Sequence, residues 1–156
     1  MKKLSTLLIA LFTSIVFSGT LAAQVIYDVL EHSWRGASVI SSNVTKEGKI
    51  YLNQTLNLTI NGTTFSGTGT STMKMDGNSY TCVTKVSGNI YGSSNSIYIK
   101  DEYNTRADAL PHGLQWCKGW GTLQLYTNAN KSGYYLLKGS ITDECGGTSD
   151  FEIGDD

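Results

Sequence analysis

Between Lys49 and Ile90 the chain alternates apolar and polar residues through three long segments, and the breaks between them are Asn61-Gly62 and Asp76-Gly77. A period of two sends successive side chains to opposite faces of an extended chain, which is the signature of β-strands. An Asn-Gly or Asp-Gly pair supplies the positive φ angles of a two-residue hairpin turn. Together these features dictate an antiparallel meander. In KIYLNQTLNLTI, Ile50, Leu52, Leu56, Leu58 and Ile60 share one face, with Tyr51, Asn53, Thr55, Asn57 and Thr59 on the other. A tight turn at Asn61-Gly62 predicts Ile60 opposite Thr63 and Leu58 opposite Phe65. The turn at Asp76-Gly77 predicts Met75 opposite Asn78, Met73 opposite Tyr80, Ser71 opposite Cys82 and Gly67 opposite Val86. All three strands then present one apolar face, the agreement expected of a correct register.

The same reading along the chain predicts eight strands, at about 34–42, 49–60, 63–75, 78–90, 96–104, 119–128, 133–143 and 150–154, and no helix after residue 23. Most connections are short. The exception, 105–118, contains most of LPHGLQWCKGW (110–120), a stretch that holds the only proline and two of the three tryptophans. A hairpin centred on Lys131 sets Leu125 opposite Leu137 and Gly121 opposite Ile141. Extended, it brings Cys117 opposite Cys145, at a separation that suits a disulfide. Cys82 is then left reduced and facing inward; the alternative is a bridge that uses Cys82.

Eight antiparallel strands with one apolar face close most simply into an up-and-down barrel, which leaves no free edges; a two-sheet β-sandwich is the alternative. The strand rhythm over the whole exported part resembles the lipocalin and calycin barrels. Those families place a glycine-x-tryptophan signature at the first strand. Here the order is Trp34-Arg35-Gly36, so the signature is not matched and the resemblance implies the fold alone.

The N-terminus constrains the compartment. Lys2 and Lys3 precede the uncharged apolar run Leu7 to Phe17 and then the small residues of SGTLAA, the pattern of a signal peptide cleaved after Ala23. Residues 24–156 then form a single all-β domain in the periplasm or outside the cell, where a disulfide persists. Loss of two lysines from 12 basic and 13 acidic residues leaves a net charge near −3, which excludes an electrostatic surface for nucleic acid. Tight turns at both barrel ends, and an outer face of Thr, Ser and Asn, argue against insertion in a membrane.

Function is expected in two places. Mid-strand, the inward face carries Gln54, Gly67, Gly69, Ser71, Cys82 and Thr84 in place of large aliphatics. Small and polar groups inside a barrel leave room for a ligand, although the glycines also serve a bent strand. The long loop adds Trp116 and Trp120 as rim aromatics, with Arg106 and His112 as polar contacts. The expected protein is thus an exported module that binds a small, mostly apolar molecule through Gln54, Ser71, Thr84, Arg106, His112, Trp116 and Trp120. A second reading makes the loop the contact of an extracytoplasmic protein-binding inhibitor or immunity-type factor, and an enzyme comes third. His32 and His112 are the only histidines and lie in no metal-spaced cluster, so no catalytic residue, metal or cofactor is expected. On the outer face, Thr59 is expected opposite Thr64, Asn57 opposite Ser66 and Thr55 opposite Thr68. That surface suits a glycan, or simply cross-strand stabilisation.

Overall fold

The computed structural model describes residues 25–155, so the export signal expected from the sequence, with its cleavage point, lies outside the described residues. Eight strands follow in order: β1 (Ser33–Ser41), β2 (Lys49–Asn61), β3 (Thr64–Met75), β4 (Asn78–Tyr91), β5 (Ser96–Ala107), β6 (Gly119–Thr127), β7 (Tyr135–Asp143) and β8 (Thr148–Asp155). Each pairs antiparallel with its sequence neighbours, and β1 meets β8 to close the barrel. The sandwich is therefore excluded, and the likeness to lipocalin-type barrels holds at the level of the fold. Among the described residues, no helix is long and apolar enough to cross a membrane.

The Asp76-Gly77 hairpin has the expected register, with Met75 opposite Asn78, Ser71 opposite Cys82 and Gly67 opposite Val86. Both turn residues take positive φ, 49° and 80°, as a type I′ turn requires. The first hairpin differs. Asn61 pairs with Thr64, Ile60 with Phe65 and Leu58 with Gly67, so Gly62-Thr63 form the loop. Positive φ falls on Gly62 alone, as in a type II′ turn, which needs glycine only at its first central position. This shifts the ladder by two residues relative to the sequence expectation. A two-residue slip preserves face parity, so Leu58 and Phe65 are both buried in the interior although not opposite each other. On the outside, Thr59 meets Ser66, Asn57 meets Thr68 and Thr55 meets Thr70, a correction to the pairs expected there.

A second correction concerns the N-terminus of the barrel, where residues 25–30 form a short helix that strand periodicity did not reveal. Ile26, Val29 and Leu30 are buried with Trp34, Leu58, Phe65, Ile90, Ile97, Leu123 and Leu137 in one core. These strand residues lie beside the turns at 62–63, 92–95 and 128–134, so the helix plugs that end of the barrel. The indole Nε1 of Trp34 donates to the Leu30 carbonyl at 3.3 Å, and the Ile60 amide donates to Glu31 Oε1 at 3.3 Å. The opposite end carries the connections 42–48, 76–77, 108–118 and 144–147.

Two irregularities shape that open end. The β4–β5 ladder jumps twice, so Thr105 and Glu102 are extra residues on β5. Such bulges bend a strand and re-aim its side chains; they also let β5 continue to Ala107, further than its alternation predicted. Among the described residues, the closing ladder has two pairs, Trp34 with Asp155 and Arg35 with Gly154. Ladder pairing between β1 and β8 stops there among the described residues, although Gly36 still lies against Glu152 and Ile153; further along β1, Ile40 is 46% exposed.

Candidate functional site

A cavity of about 230 Å³ occupies the half of the barrel away from the helical plug. Its apolar wall comes from Leu56, Val86, Ile99, Ile141, Phe151 and Ile153. Polar groups enter from Gln54, Ser71, Thr84, Asp101, Asn104, Asp143 and Ser149, and Trp116 and the free Cys82 also belong to the lining. The room comes from glycine. Gly69 also lines the cavity, and a Cβ built there would meet only Val86 Cγ1, at 3.6 Å. Gly67, one layer towards the plug, has a different cause. A Cβ there would collide with the Asn57 carbonyl oxygen, so that glycine permits a close backbone approach.

The residues expected from the sequence separate into two groups. Gln54, Ser71, Thr84 and Trp116 line the cavity together, whereas Arg106, His112 and Trp120 do not. Arg106 is exposed and forks onto Asp108, with Nε and Nη2 each 3.2 Å from Oδ1. His112, at the loop tip with φ 59°, lies 3.8 Å from Asp76 Oδ2. Trp120 is 40% exposed, beside Lys100 on the outer face. Its position follows from parity, because Gly119 and Gly121 are the inward residues of β6.

The long loop is fastened at several points. Cys117 and Cys145 form the expected disulfide, with Cα atoms 5.9 Å apart. The Trp116 indole donates to the Asp108 carbonyl at 2.9 Å, and the Thr81 amide donates to Asp108 Oδ2 at 2.8 Å. That amide bond, with help from Arg106, holds the Asp108 carboxyl below its usual range. Asp76 joins two neighbouring loops, accepting from the Lys46 amide at 2.8 Å and lying near His112.

Asp101, Asn104, Asp143, Ser149 and Phe151 are lining residues that the sequence reading did not name. The series Ile97, Ile99, Asp101 already put Asp101 on the inward face. Asn104 follows the Glu102 bulge, which reverses the parity, so alternation could not find it. Glu102 itself stays outside, bonded to the Ser87 hydroxyl and to Lys100. Asp101 Oδ2 accepts from the Gly119 amide at 2.8 Å. Burial pushes its carboxyl up, opposed in part by that amide. Burial likewise raises the Cys82 thiol, against a contact with Thr84 at 3.6 Å. A thiol held protonated is a poor nucleophile, and none of the lining residues is a histidine that could activate it. Cys117, Asp143 and Cys145 cluster within 4.8 Å, but the two sulfurs are joined to each other and offer no thiolate to a metal.

Fold and cavity together define a class: a closed antiparallel barrel, packed at one end and hollow at the other. Compared with protein-family models, curated proteins and solved structures, the chain finds no match.

Proposed function

We propose that this chain is an exported barrel that binds a small, mostly apolar molecule in the cavity beneath the 108–118 loop. The observation that carries the reading is the cavity itself, where six apolar residues are joined by a few convergent polar groups. That is the usual make-up of a small-molecule site. Its volume of about 230 Å³ lies just below the common range of roughly 300–1,000 Å³, which points to a small ligand. The signal-like N-terminus and the Cys117–Cys145 bond favour an oxidising compartment, periplasmic or extracellular. The protein-binding alternative draws less support, since Trp116 lines the cavity and donates its N–H to Asp108 rather than standing free as an anchor.

Gly69→Leu tests the reading. A Cβ at this position meets no backbone within 4 Å, so the variant is expected to fold with leucine in the cavity and to lose any ligand that co-purifies with the wild-type protein, as read by native mass spectrometry. Equal ligand occupancy in a folded Gly69→Leu variant would overturn the proposal.

A further inference from the structure

The cavity is one-sided in charge. Two carboxylates, Asp101 and Asp143, line it, and among the described residues no lysine, arginine or histidine does. Arg106, at the end of β5, is engaged on Asp108, and His112 of the covering loop lies beside Asp76. Lys118, whose field reaches Asp101, is ion-paired to Glu144 at 3.4 Å. Asp143 turns Oδ1 to the amides of Cys145 and Gly147, both at 2.9 Å, and so spends part of its capacity on the β7–β8 turn. Asp101 receives one amide at Oδ2, which leaves Oδ1 without a protein donor among the described residues. Three polar groups of other strands, Thr84, Asn104 and Ser149, share the cavity with it.

A carboxylate partly withdrawn from water, in a cavity whose lining holds no cation, is an unfavourable arrangement that a ligand can relieve. A metal ion fits poorly. Calcium takes about six to eight oxygen ligands, whereas much of this lining is aliphatic or aromatic. An organic cation satisfies both halves of the site: an ammonium group for Asp101 and an apolar body for Leu56, Val86, Ile99 and Phe151. Trp116 adds an indole to the same space, and aromatic rings attract desolvated cations.

We propose that the ligand is a small organic amine, bound as its ammonium form, with Asp101 as counter-ion and Trp116 as the aromatic wall. This rests on the reading of the cavity as the binding site.

The test is titration calorimetry of the oxidised, exported chain with 2-phenylethylamine and with its neutral isostere 2-phenylethanol, repeated on Asp101→Asn and Gly69→Leu. Wild type should favour the amine by at least about tenfold, and Asp101→Asn should bring the amine down to the level of the alcohol. Added salt should weaken the amine and spare the alcohol, a readout that needs no variant to fold. Equal affinities for the two probes, or amine binding indifferent both to salt and to Asp101→Asn, would overturn the amine proposal while leaving the cavity as the site. Failure of both probes to bind wild type, or unchanged binding to Gly69→Leu, would overturn the cavity reading and the amine proposal with it.

Discussion

Asp101 sits where burial works against its own charge, and one backbone amide only partly offsets the loss of water. Because its carboxyl is raised in the folded state, the unfolded chain releases the proton first as pH rises. The contribution of Asp101 to stability is therefore present in acid and is lost as pH rises through the folded value. Asp101→Asn, which keeps an oxygen for the Gly119 amide, removes that loss. Its melting temperature should rise relative to wild type between about pH 3 and pH 7. A constant difference across that range in calorimetric scans would refute the assignment. Asp108 has the opposite sign: its lowered carboxyl supports the fold at neutral pH and loses that effect as pH falls through the folded value. Two aspartates seven residues apart thus oppose one another in acid, one freed by protonation and the other impaired by it.

At the scale of elements, the 108–118 loop is a cover fixed at both ends. Its start is tied through Asp108 to β4, and its end through Cys117 to the β7–β8 turn. The disulfide closes a separation of 28 residues, for which the chain-entropy estimate is about 3–4 kcal/mol. Replacing Cys117 and Cys145 together with serine should lower stability by about that amount in urea melts. It should also speed hydrogen exchange at 108–118 while leaving β3 and β4 protected. Uniform loss of protection would show that the bond supports the whole barrel rather than the cover. This bridge was legible in the sequence because the β6–β7 hairpin has unbroken alternation, with Leu125 opposite Leu137 and Gly121 opposite Ile141. The first hairpin was less so. Asn61-Gly62-Thr63 offers glycine at the second position of one turn or the first of another, and local preference does not choose between them. Packing between the strands chose, and Phe65 came to lie opposite Ile60 rather than Leu58.

Taken whole, the molecule is a cup with a solid base and a weak seam. The helical turn at 25–30, Trp34 and the aliphatic ends of the strands fill one half. In the other half, ladder pairing of β1 with β8 ends at Arg35 and Gly154, which among the described residues leaves one edge of Ala37–Ser41 unpaired. Few buried contacts and a free edge lower local stability. Amides of β1 beyond Gly36 and of β8 before Ile153 should therefore exchange faster than those of β3 and β4, in native-state exchange read by NMR. Protection of these edges equal to that of β3 would mean the barrel is zipped along its full length in solution.

Alternation and glycine turns, read from the sequence by themselves, determined the strand number, the antiparallel order, the inward faces and the cysteine pair. Each of these follows from the two-residue period of an extended chain and from short-range turn chemistry. Tertiary structure alone decided the rest: the helical plug, the two-residue shift of the first hairpin, the Glu102 bulge that turns Asn104 into the space Asp101 already faces, and the placement of Trp116 in the cavity lining. These depend on how strands bend and close around a common interior. That is a balance of packing between residues far apart in the chain, and it leaves no local periodic mark.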